Sequence, residues 1–131
     1  MRVVVRVALI ATSVLNLAGC YDVIKTPEMA TASVYGPGIS GGSLSPEEVA
    51  QLSSWLRAHD AGWRPLMEAA PAPITLAIAI RGPTGRQSSL QLFEAKDGTA
   101  MAYLKEPGPA RSLQRYLSAP DVAALRAAVG H

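Results

Sequence analysis

Between residues 74 and 80 the aliphatic side chains Ile74, Leu76, Ile78 and Ile80 alternate with Thr75, Ala77 and Ala79. Successive side chains of a strand point to opposite faces, so this spacing predicts a strand with one heavily apolar face. Gly82, Pro83 and Gly85 turn the chain after it. Residues 88–95 and 99–104 then flank Asp97 and Gly98, a two-residue hairpin signal. Taking Lys96 opposite Thr99 sets Leu92 opposite Tyr103 and Phe93 opposite Ala102, so that Leu90, Leu92, Met101 and Tyr103 share a face. Residues 106–109, Glu-Pro-Gly-Pro, interrupt the sheet, and 112–117 supply a short fourth strand at its edge.

Two helices are available to cover the apolar face. Ser45, Pro46 and Glu48 form a capping box with proline at the first helical position, and Leu44 and Val49 are spaced as a hydrophobic staple. Val49, Leu52 and Leu56, flanked by Trp55, make the apolar side of the first helix, with Gly62 placed to end it. Ser118 and Asp121 repeat the capping pattern ahead of Val122, Leu125 and Val129, and Gly130 follows. The expected fold is a two-layer α+β domain: helix, three- to four-stranded antiparallel sheet, helix.

Composition sets further bounds. Cys20 is the only cysteine among 131 residues, so no disulfide and no thiolate metal cluster can be built within the chain. The 12 Lys and Arg include Arg2 and Arg6; without those two, the remainder balances the 10 Asp and Glu. That balance argues against nucleic acid as a partner.

Arg2 and Arg6 precede an apolar run, residues 7–17, that is too short to span a bilayer, which takes about 20 apolar residues. The run closes on Leu17, Ala18, Gly19 and Cys20. This resembles the lipobox of bacterial lipoproteins. The resemblance implies cleavage between Gly19 and Cys20, lipid attachment at Cys20, and a membrane partner reached through that lipid. Two acyl signals are what stable anchoring requires. In enteric members of that family an Asp directly after the cysteine favours inner-membrane retention. Tyr21 stands there, with Asp22 one further on, so the expected location is the outer membrane, facing the periplasm.

The expected organisation is a removed leader at 1–19, a lipidated Cys20 with a flexible tether to residue 45, and the folded domain from 46 to 131. The tether is rich in Gly, Ser, Thr and Pro and shows no sustained period. As a Gly/Ser-like linker it would hold the domain about 25 to 30 Å from its anchor. Gly36, Gly38 and Gly41 match G-x-G-x-x-G, but no convincing strand precedes them and Pro37 interrupts the loop, so a flexible linker is the favoured reading over dinucleotide binding. Val34 and Tyr35 could instead add a short edge strand.

Of the standard catalytic motifs, G-K-[ST] and H-E-x-x-H are missing from the chain, and the resemblance implies that the thiol of Cys20 is blocked by lipid. His59 and Asp60 are adjacent on a helix and point about 100° apart, so they do not form a pair. A solvated last turn with His59 facing the helix dipole is the plain expectation. Glu68, Glu94, Asp97 and Asp121 could meet in space, but the sequence does not pair them. No enzyme activity, no cofactor and no metal are expected.

The expected function is that of a lipid-anchored envelope protein that binds a protein or the wall, or pairs with a second copy. A small envelope hydrolase or ligand carrier is the alternative. The expected docking face is the side of the sheet turned from the helices, with Ala77, Ala79, Phe93, Ala102 and Leu104 beside Thr75 and Gln91. It is short of charge and partly apolar, as interaction patches on monomers often are.

Overall fold

The computed structural model describes residues 23–67, 69, 70, 72–106 and 112–131. Leu17 to Cys20, which resemble a lipobox, and with them the expected cleavage and lipid sites, lie outside the described residues. Among the described residues the order is β1 (Thr31–Gly36), β2 (Ile39–Ser43), α1 (Pro46–Ala58), β3 (Arg64–Pro65), β4 (Leu76–Arg81), β5 (Gln87–Glu94), β6 (Ala100–Lys105), β7 (Ser112–Leu117) and α2 (Ala119–Ala128). All seven strands join one sheet in the order β2-β1-β4-β5-β6-β7-β3, antiparallel throughout. The fold is therefore mainly β, and the expected three- to four-stranded α+β sheet is corrected to a sheet of seven strands.

The three added strands come from places where apolar alternation is short. In β1 only Ala32 and Val34 are buried, and β2 reads Ile-Ser-Gly-Gly-Ser with no buried residue. Pro37 and Gly38, the latter at φ +73°, make the connecting turn, with proline and glycine where a type II turn takes them. The three glycines of the supposed linker thus belong to a hairpin. Gly36 is needed for closeness as well: a Cβ there would lie 2.7 Å from the Thr75 carbonyl oxygen. The third addition is β3, two residues long, which pairs with β7 and moves that strand off the edge.

The described structure extends further towards the amino terminus than residue 46. Ile24 is buried in the main core, and its N–H donates to the Asp60 carbonyl at 2.8 Å. Ala30 N–H donates to the Arg81 carbonyl. The segment read as tether therefore contributes a core side chain and two strands.

The capping prediction for α1 holds in detail. Ser45 Oγ accepts Glu48 N–H at 3.1 Å, and Glu48 Oε1 accepts Ser45 N–H at 2.8 Å. Leu52, Trp55 and Leu56 are its buried residues, and Val122, Leu125 and Ala128 those of α2. Both helices join one apolar core with Val34, Leu76, Ile78, Leu90, Leu92, Leu104, Leu113 and Leu117. They cover a single face of the sheet, and α2 is tied to β5 by Arg126, which donates from Nε and Nη2 to the two carboxylate oxygens of Glu94 at 2.7 and 2.9 Å.

The β5–β6 register differs by one residue from the sequence expectation. Leu92 faces Ala102 and Phe93 faces Met101. Ala95 N–H donates to the Thr99 carbonyl, so the loop has three residues, Lys96, Asp97 and Gly98, with Gly98 at φ +90°. This is the three-residue hairpin in which glycine takes the left-handed position. Since side chains alternate, the slip reverses every assignment on β6. Ala102 and Leu104 enter the core, while Met101 and Tyr103 turn to the other face.

Candidate functional site: the uncovered part of the sheet

Reading the register across the strands gives the composition of the face that no helix covers. One row is Thr31, Arg81 and Gln87; the next is Ser43, Ser33, Ala79, Ser89, Lys105 and Ser112; a third is Tyr35, Ala77, Gln91, Tyr103, Gln114 and Arg64; the last contains Phe93, Met101 and Tyr116. Of the expected docking residues, Ala77, Ala79 and Phe93 lie here. Ala102 and Leu104 do not; both are buried beneath the helices.

One end of this face is closed. Phe93 and Tyr103 pack at 4.7 Å between ring centroids, and Arg64 sits 5.6 Å over the ring of Tyr116. The connection leaving β3 starts across this side, where Met67 N–H donates to Gln114 Oε1 at 2.9 Å. It ends at Thr75, whose N–H donates to the Leu92 carbonyl. Gln114 and Met101 are buried at this end although they face away from the helices.

The other end is open. A trough of about 650 Å³ runs across β1, β4, β5 and the end of β6. Its floor is Ala79, which keeps the surface low. Tyr35, a residue 52% exposed, walls it. Ser33, Ser89 and Gln87 offer hydroxyls and an amide, and Arg81 and Lys105 stand exposed over it. The volume falls in the range of small-ligand sites. A second hollow of about 510 Å³ lies round the end of the sheet between residues 25–28 and the β4–β5 turn.

Cations lie on both sides of the sheet, Arg57, Arg115 and Arg126 on the helix side. The strand residues of the uncovered face include Arg64, Arg81 and Lys105 and no carboxylate; Glu106, just beyond β6, is the one acid lining the trough. Glu47, Glu48, Glu94 and Asp121 belong to the helix side. Arg126 holds the Glu94 carboxyl below its ordinary value by hydrogen bonding, against the opposing effect of burial.

His59 is a correction to the solvated-turn expectation. Its ring stacks on Trp55 at 4.1 Å, with Nδ1 2.7 Å from the Trp55 carbonyl and Nε2 3.1 Å from Asp121 Oδ1. Both contacts are hydrogen bonds together only when each ring nitrogen carries a proton, since a carbonyl and a carboxylate can only accept. The His59 hydrogen bond lowers the Asp121 carboxyl from its ordinary value, burial raises it, and the Ser118 cap lowers it further. Trp55 Nε1–H donates to the Asp121 carbonyl, while Trp63 Nε1–H and Arg115 Nη1–H donate to the His59 carbonyl. All these partners belong to the chain itself, and the cluster clasps the end of α1 to the start of α2.

The sequence offers Tyr35 only as part of a possible edge strand and does not mark it or the Arg81–Lys105 pair as site residues. The available signal was the alternation of Ala32 and Val34 with Ser33 and Tyr35, only two apolar residues long. Among the described residues no group of three or more His, Cys, Asp or Glu could hold a metal, and no helix is long and apolar enough to cross a membrane. No protein-family model, no curated protein and no solved structure matches the chain.

Proposed function

We propose that the chain is a lipid-anchored binding module of the bacterial envelope, held at the outer membrane through Cys20 and facing the periplasm. It engages a protein or the wall through the uncovered part of its sheet. The observation that carries the binding part is the one-sided cover: both helices lie on one face, and the opposite face keeps an open trough walled by a half-exposed tyrosine. Solvated sheet faces normally alternate to polar side chains, whereas here Tyr35, Ala77 and Ala79 stand together. The anchoring part rests on the resemblance of Leu17 to Cys20 to a lipobox.

A photocrosslinking residue at position 79, compared with one at exposed Ala123 on α2, tests the binding face in intact cells. Adducts from position 79 and none from 123 are expected. Equal yields, or none at 79, would remove the face from consideration. Mass spectrometry of the native amino terminus tests the anchor: an unmodified chain beginning at Met1 would exclude it.

A further inference from the structure

The chemistry of the trough narrows what it would hold, given that the uncovered part of the sheet is the binding surface. Tyr35 presents a broad, partly apolar ring at its wall. Beside it lie neutral groups able both to donate and to accept, the hydroxyls of Ser33 and Ser89 and the amide of Gln87. Ala79 lets a ligand come down close to the backbone. Arg81 and Lys105 overhang the same space, and among the described residues neither has an ion-pair partner.

A pyranose ring fits the first two features, because its C–H face is apolar and its rim is a ring of hydroxyls. Arg81 and Lys105 outnumber Glu106, the single acid of the lining, and ask for a negative group on that ring. An acidic peptide would satisfy the cations but leave the tyrosine face and the hydroxyl row without complementary groups. From β1 to β6 the trough crosses three strand spacings, about 14 Å, which accommodates a short run of rings rather than a single one. We propose that the trough binds a carboxylate-bearing polysaccharide strand. One ring stacks on Tyr35, its hydroxyls lie over Ser33, Ser89 and Gln87, and its carboxylate is taken by Arg81 and Lys105.

Calorimetric titration of the full-length chain in detergent micelles tests this with three probes: a galacturonic acid trimer, the neutral galactose trimer, and triglutamate peptide. The acidic sugar is expected to bind at least about tenfold more tightly than either other probe, as one charge-assisted hydrogen bond and one stacked ring require. Tyr35→Ala and Arg81→Gln should each weaken it by about tenfold, while Tyr35→Phe and the α1 variant Arg57→Gln should not. The melting temperature of each variant separates a lost contact from a lost fold. Triglutamate binding as tightly as the acidic sugar, neutral and acidic sugars binding alike, or no sugar binding at millimolar concentration would each overturn the proposal. None of those results touches the crosslinking at position 79, so the ligand class and the binding face fail separately.

Discussion

The two faces of the sheet come from the same strands, one residue out of step. On the helix side Leu76, Ile78, Leu90, Leu92, Ala102 and Leu104 are all nearly inaccessible. On the other side the intervening Ala77, Ala79, Ser89, Gln91 and Tyr103 are half-buried or exposed. Packing decides the first set, since each large aliphatic group removed from water contributes about 1.5–3 kcal/mol. The second set is free of that requirement at the trough end, and there small, hydroxylated, aromatic and cationic side chains accumulate. Stability and binding are thus written on alternate residues, and a single-residue error in register exchanges them.

The strongest way to break the comparison is truncation on the helix side. Leu104→Ala should cost about 2–5 kcal/mol in chemical denaturation, as buried leucines do. A loss below about 0.5 kcal/mol, the usual surface value, would put Leu104 on the open side after all and restore the two-residue turn.

A smaller effect is expected where the helix layer is fastened to the sheet. Arg126→Ala removes both hydrogen bonds to Glu94 and should cost about 1.5–3 kcal/mol, the range for bonds to a charged group. The Glu94 carboxyl is lowered by Arg126 from its ordinary 4.5. Its contribution is therefore present above about pH 4.5 and lost as pH falls through the lower folded value. Denaturation at pH 7 and pH 3 should show the difference between wild type and Arg126→Ala shrinking at the lower pH. A difference that stays constant would show that the pair is not what the substitution removes.

The smallest effect belongs to the open side. Ala79→Glu should change stability by no more than about 0.5 kcal/mol, the surface value, while placing a like charge where the acidic sugar would sit. Unfolding of the variant would mean that Ala79 is covered.

What could be read from the sequence was local. Ser45 and Glu48 announced α1, and the Ile/Leu alternation announced β4, because caps and alternation act within a few residues. β1 is legible only as the alternative edge strand at Val34 and Tyr35, and β2 not at all, because glycine and serine give no apolar period and their place is set by pairing Val34 with Ile78, far along the chain. The face of β6 was misassigned because Asp-Gly suits both two- and three-residue loops, and only the Ala95–Thr99 pairing separates them. His59 was paired with nothing in the sequence because its partner, Asp121, is brought in by the second helix. The trough residues lie on four separate strands, so their meeting is a product of strand order alone.

The burial of Ile24 limits how far such a protein could act. Its side chain is fixed in the core, and only three residues separate it from Cys20. Fully stretched, the path from Cys20 to Ile24 covers about 13–14 Å. An anchor at Cys20 would give the domain a leash of that length in place of the 25–30 Å spacer that a flexible segment of 25 residues suggests. The reach of the trough from such an anchor would then be set by that short leash and the dimensions of the folded domain, and not by a long spacer.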